Sequence, residues 1–206
     1  MQNARSTVPM DVSRETRERL SDFAALVRKW SPAINLVSKS DLPHIESRHI
    51  ADSLQLAPYI PQTSGIWADF GSGGGFPGIV AAIVASETAP DLRFHLVESD
   101  QRKSTFLRTA ARELSLNVTV HSERIETLAP LSADIISARA LAPLNMLLGY
   151  AARHLSTGGS CLFLKGQMHE AEIETAREHW RFDCDSQVSR TDPDARLLLV
   201  SHLHHA

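Results

Sequence analysis

The sequence is poor in cysteine: two among 206 residues, Cys161 and Cys184, with no C-x-x-C pair. A disulfide framework and a thiolate zinc cluster are therefore excluded as organising principles. Long apolar runs are missing as well. The longest, such as Ile79–Ala85, fall below half of the roughly 20 residues a membrane helix needs. The chain opens with polar Gln2-Asn3 and shows no apolar signal core, so the expected compartment is the cytoplasm. Positive charge is not in excess either: 21 Lys and Arg against 24 Asp and Glu give a net −3. A polyanionic partner would have to meet a local basic patch. What remains is an ordinary 43% apolar share over a length suited to one domain with a small extension.

Residues 13–30 read as an amphipathic helix. Ser13 is a cap candidate, and Leu20, Phe23, Leu26, Val27 and Trp30 recur at helical spacing. Ser31-Pro32 is expected to end it. A second helical stretch is expected from Ser40 through Ile45, Ile50 and Leu54 to Pro58. From residue 66 the pattern becomes short apolar runs alternating with helices. The expected strands are Ile66–Phe70, Leu92–Glu98, Asn117–His121, Asp134–Ala138, Ser160–Leu164, Phe182–Val188 and Leu197–Leu203. Helices are expected near 77–87, 100–115, 142–155 and 167–180. This alternation implies an α/β fold with a mostly parallel sheet covered on both faces. Residues 189–194 are too few for a crossover helix, so the last two strands should be antiparallel. The expected division is a helical extension, 1–60, on an α/β body, 61–206.

The informative segment is Asp69-Phe70-Gly71-Ser72-Gly73-Gly74-Gly75-Phe76-Pro77-Gly78. It joins a strand to a helix at the carboxyl edge of the sheet, where open α/β folds bind ligands. Glycines there let backbone approach a ligand. Two cofactor classes compete. Gly73-x-Gly75-x-x-Gly78 matches the dinucleotide fingerprint, and Glu98 lies 20 residues past Gly78, where a ribose-binding acid is expected. Asp69, Gly71, Gly73 and Gly75 instead form D-x-G-x-G-x-G, which resembles motif I of class I S-adenosylmethionine-dependent methyltransferases. Glu98 suits both. Asp69 favours the second, because an acid there suits a cationic amino-acid cofactor and repels a pyrophosphate. A Walker loop is excluded, since no Gly-Lys-Ser/Thr follows.

Further marks are Asn35-Leu36-Val37-Ser38, Arg48-His49-x-x-Asp52-Ser53, Glu98-Ser99 with Arg102-Lys103, Arg124-Ile125-Glu126, Ser137-Ala138-Arg139-Ala140 and Leu164-Lys165-Gly166. Together with the glycine loop, and in this order, they resemble the RsmG (GidB) family of bacterial 16S ribosomal RNA guanine-N7 methyltransferases. One departure is visible: the family often reads Ser-Arg-Ala, whereas Ala138 here separates Ser137 from Arg139. The resemblance implies a three-layer, Rossmann-like class I methyltransferase whose seven-stranded sheet ends in an antiparallel hairpin. It implies S-adenosylmethionine as cofactor, held by Gly71, Phe76, Ile125, Glu126 and Arg139. The class pattern adds Asp69, Gly73, Gly75 and, for the ribose, Glu98. The implied substrate is the guanine at position 527 in the family's nomenclature, in the helix-18 loop of 16S ribosomal RNA. The implied partner is the small ribosomal subunit, with no membrane, and the chain is expected to be a monomer.

The chemistry agrees with that acceptor. Cys161 lies inside an apolar strand run and Cys184 in another strand candidate, which suits buried packing better than a nucleophile for pyrimidine C5. No adjacent prolines supply the Asn/Asp-Pro-Pro-aromatic motif of amine methylation. Guanine N7 carries a lone pair and no proton, so no catalytic base is expected. Arg102, Lys103, Arg108 and Arg112 are opposed over 101–113 only by Glu113 and could track phosphates, as could Lys165 on the cofactor rim. Arg48, His49 and Asp52 read as a network tying the extension to the body. His202, His204 and His205 lack a third ligand in a metal-binding arrangement and read as an exposed tail, with no metal. Two other readings stay open at this point: a nicotinamide-dependent oxidoreductase and a non-catalytic ribosome-binding module.

Overall fold

The computed structural model describes residues 12–61 and 64–206; the polar opening Gln2-Asn3 lies outside the described residues. Seven strands form one sheet: β1 (Gly65–Phe70), β2 (Leu92–Val97), β3 (Val118–His121), β4 (Ala133–Arg139), β5 (Leu155–Lys165), β6 (Trp180–Val188) and β7 (Arg196–His205). Their order is β3-β2-β1-β4-β5-β7-β6. The pairs from β3 to β5 are parallel, whereas β7 runs antiparallel to both β5 and β6. The hairpin therefore inserts its second strand next to β5, as the class I methyltransferase pattern implies.

Helices cover the two faces by side-chain period. Ala68, Phe70, Ile136, Ala138, Cys161 and Phe163 point to the face under α5 (Leu144–His154) and α6 (His169–Arg177). Trp67, Phe94, Leu162, Leu164 and Leu197 point the other way, against α3 (Gly78–Thr88) and Leu56. Every residue of α3 from Gly78 to Ala85 is buried. A helix apolar on all sides needs cover on all sides, and α1 (Arg14–Ile34) supplies the outer layer. Its Leu20, Phe23, Ala24 and Val27 pack with Ile79, Val80 and Ile83 of α3 and with Phe106 and Leu107 of α4 (Gln101–Glu113).

Two helical expectations are corrected. α1 runs through Pro32 and ends where Asn35 turns left-handed (φ 50°), its amide donating to the Ser31 carbonyl (2.9 Å). The proline sits in the last turn, so the one carbonyl it deprives of a partner belongs to exposed Arg28, where water can serve. The stretch after Ser40 is not one regular helix. It is a 3₁₀ turn (Leu42–His44), a π-turn (Ile45–Ile50), the short α2 (Ala51–Ser53) and a further 3₁₀ segment (Leu54–Tyr59). No helix among the described residues is long and apolar enough to cross a membrane.

Candidate active site

The carboxyl ends of β1, β2 and β4 meet where the strand order reverses, between β1 and β4, a position at which open α/β sheets form crevices. The loop after β1 is left-handed at Gly71 (φ 62°) and Gly73 (φ 52°). A Cβ on Gly71 would lie 2.5 Å from Leu141 Cδ1, the movable end of an exposed side chain, so it is the left-handed φ that favours glycine there. At Gly73 a Cβ would meet nothing closer than the Gly71 carbonyl at 3.6 Å, because this residue borders open space. The Gly73 amide donates to Glu98 Oε2 (2.9 Å) and the Asp100 amide to Glu98 Oε1 (2.8 Å). Glu98 thus ties the loop to the end of β2 while each oxygen keeps a free lone pair.

These residues open onto a cavity of about 550 Å³, a size ordinary for a small-molecule site. Of the residues singled out from sequence, Gly71, Gly73, Phe76, Glu98, Lys103, Ile125, Glu126 and Arg139 line it. At one end the buried histidine His154 hydrogen-bonds through Nε2 to the Ile125 carbonyl (3.0 Å), fixing that segment. Beside it, Glu126 Oε1 accepts from Arg124 and from the Tyr150 hydroxyl, each at 3.0 Å. Its own backbone amide and these two donors hold its carboxyl below the usual range. The end therefore offers an apolar surface beside polar backbone and a carboxylate.

Asp69 lies elsewhere than expected. It is fully buried beneath the loop and is not part of the cavity wall. Oδ1 accepts from the Ser137 hydroxyl (2.6 Å), which itself accepts from Trp67 Nε1 (2.9 Å). Oδ2 is buried without a hydrogen-bond partner. Burial pushes the carboxyl up to about 6, against the opposing pull of its hydrogen bond from Ser137. Asp69 is a strut between β1 and β4 rather than a surface for a ligand. Gly75 likewise packs below the wall, where a Cβ would strike Ile79 and Phe23.

Arg139 reaches across the opposite end. Its guanidinium lies over the Phe76 ring (5.2 Å to the centroid), donating to Asp52 Oδ2 (3.2 Å) and to His49 Nδ1 (2.9 Å). The network expected from Arg48, His49 and Asp52 therefore has Arg139 at its centre. Arg48 itself turns to Asp41 (2.9 Å).

The basic residues divide. Lys103 is on the cavity wall, whereas Arg102 points outward and pairs with Asp100 (3.4 Å). Lys165 does end β5 on the same rim, but its ammonium is nearly buried, paired with Glu172 (2.6 Å) and donating to the Ala142 carbonyl (2.9 Å). A lysine neutralised in this way is not free for a phosphate, and the expectation of a phosphate contact is corrected. Trp30 packs on Phe106 as core. The sequence reading missed Leu141, Met146 and Tyr150 on the cavity wall. Leu141 and Met146 stand 36% and 49% exposed, an apolar rim with no motif to announce it.

The histidines at the end of the chain are not a tail beyond the sheet, since β7 continues to His205. His202 turns left-handed (φ 52°) at a register shift against β6. It pairs with Asp183 (2.8 Å), and His205 stacks on Trp180. Among the described residues no group of three or more His, Cys, Asp or Glu could hold a metal ion. Neither cysteine lines the cavity.

Comparison with known proteins agrees with this geometry. Residues 16–196 match the family described as GidB, rRNA small subunit methyltransferase G. The protein named ribosomal RNA small subunit methyltransferase G from Cereibacter sphaeroides is 53% identical over 196 residues, covering 95% of each chain. Its namesake from Paracoccus denitrificans is 52% identical over 198 residues, covering 96% of this chain and all of the relative. Among solved structures, a SAM-dependent methyltransferase from Aquifex aeolicus superposes with a TM-score of 0.57 at 12% identity, covering 87% of this chain and 97% of its own. That last likeness concerns the fold, which is the class I methyltransferase fold. At about half-identity over nearly the whole length, the chain belongs to the rRNA small subunit methyltransferase G family.

Proposed function

We propose that this chain methylates N7 of the guanine at position 527, in the family's nomenclature, of 16S ribosomal RNA, using S-adenosylmethionine. The observation that carries the reading is the cavity at the switch point of the sheet, with Glu98 at one wall and Ile125-Glu126 beside it, in a member of this family. The donor set fits the cofactor. Glu98 keeps lone pairs for ribose hydroxyls, Ile125 gives an apolar face and Glu126 a polar edge for adenine. The open side of Gly73 leaves the backbone bare where a ligand must pass. Phe76 and Arg139 occupy the remaining end. Held there, S-adenosylmethionine would supply an electrophilic methyl group on a sulfonium, the carbon–sulfur bond breaking as the lone pair of N7 takes the carbon and the neutral thioether departing with the bonding electrons.

The chain's own work is then positioning and exclusion of water. The exposed apolar rim of Leu141 and Met146, and Lys103, lie on the cavity wall and would meet an entering nucleic-acid base and its phosphate. N7 needs no proton removed, so none of these side chains is assigned as a base. The division into a helical extension, residues 1–60, and a methyltransferase body, 61–206, is part of the same proposal, as are a monomeric state and the cytoplasm as compartment. The nicotinamide and non-catalytic readings lose their footing with the family assignment.

The test is atomic. Small subunits carrying 7-deazaguanine at the target should accept no methyl group, because the nucleophilic lone pair is gone while the Watson–Crick edge is kept. Methyl transfer to that substrate would move the chemistry to another atom and require a base.

A further inference from the structure

Arg139 stands at the cavity, yet the groups that fix its guanidinium come from 87 and 90 residues earlier in the chain. The π-turn Ile45–Ile50 and the following α2 bring His49 and Asp52 to the same side. Asp52 is itself held: its Oδ1 accepts from Gln55 Nε2 (2.9 Å) and from the Thr191 hydroxyl (3.0 Å). His49 lies on the cavity wall with its ring 5.1 Å from that of Phe76. The charged groups around it are Asp41, Arg48 and Asp52 from the N-terminal segment, Arg139 from β4 and Asp192 from the β6–β7 loop. To accept from a guanidinium, Nδ1 must carry no proton. The ring is then the neutral tautomer with its proton on Nε2, an atom buried without a hydrogen-bond partner and 3.6 Å from Asp41. Burial, and next the charge of Arg139, press its pKa below the ordinary histidine value, in keeping with that tautomer.

We propose that His49 and Asp52 are positioning residues for Arg139, their two acceptors holding the guanidinium over Phe76 on the cavity wall before any ligand arrives. An unrestrained arginine has many rotamers to lose on binding, and one already fixed loses little. The N-terminal segment is then part of the site rather than a cover for it. This inference rests on the reading of Arg139 as a cofactor contact.

Calorimetric titration of S-adenosylmethionine into the full-length protein tests it, with the thermal unfolding of each variant measured alongside. Arg139→Ala should weaken binding about tenfold, and His49→Ala and Asp52→Ala about fivefold each. His49→Asn, whose Oδ1 takes the place of Nδ1, should bind within about threefold of wild type. The double variant of His49→Ala and Arg139→Ala should bind no more weakly than Arg139→Ala alone, since the histidine acts through the arginine. Losses that add in full, or a His49→Asn variant as weak as His49→Ala, would overturn the positioning role. So would wild-type affinity in His49→Ala and Asp52→Ala beside a weakened Arg139→Ala. Wild-type affinity in Arg139→Ala would instead remove the reading on which the proposal rests.

Discussion

A carboxylate removed from water is costly unless hydrogen bonds replace its hydration, and Asp69 has one strong bond, from Ser137, and one oxygen without any. Its folded-state value of about 6 stands above the ordinary 3.8, so the folded state binds this proton more tightly than the unfolded chain. The contribution is fully present below about pH 4 and is lost as pH rises through 6. Asp69→Asn cannot titrate. Its stability relative to wild type should therefore rise between pH 4 and pH 8, by at most about 3 kcal/mol. Denaturant melts at the two pH values that give the same difference would contradict the assignment. At Gly73 the left-handed backbone and the open side of the residue act together: Gly73→Val should stay folded and lose detectable S-adenosylmethionine binding, as titration would show. The sequence made Gly71, Gly73 and Glu98 legible because loop and strand end announce them locally. It could not reveal that Asp69 is a strut or that Lys165 is paired, since Ser137 and Glu172 come to them only through tertiary packing. Lys165→Ala should accordingly leave the salt dependence of RNA binding unchanged. A slope reduced by about one unit would restore the phosphate contact.

At the scale of elements, alternation of apolar runs and helical periods located all seven strands, with ends displaced by a few residues. The ends moved where pairing, not composition, decides. β5 begins at Leu155 rather than at the expected Ser160, because Ala133 of β4 pairs there. The irregular segment 42–59 was legible as helical but not as π and 3₁₀, since its geometry serves contacts with β4 and the β6–β7 loop. α1 shows the energetic side of the same point. Phe23 is fully buried, 5.2 Å from the Phe76 ring and 6.4 Å from that of Phe106, linking α1 to the glycine loop and to α4. Phe23→Ala should cost about 3–5 kcal/mol of unfolding free energy and weaken cofactor binding through the displaced Phe76. A stability loss below about 1 kcal/mol would show that α1 is not part of the cooperative core.

For the molecule as a whole, the reversal of strand order between β1 and β4 places the glycine loop and Arg139 on neighbouring strands, and Leu36 and Val37 after α1 line the crevice together with His49 of the 42–59 segment. As proposed above, this crevice transfers a methyl group to N7 of one ribosomal guanine. The most direct test is mass-spectrometric mapping of 7-methylguanosine in 16S ribosomal RNA from cells with the protein, without it, and complemented by wild type or by Gly73→Val. The expected result is 7-methylguanosine at position 527 with the protein, none without it, and restoration by wild type alone. An unchanged 7-methylguanosine at that position in cells lacking the protein, or restoration by Gly73→Val, would contradict it.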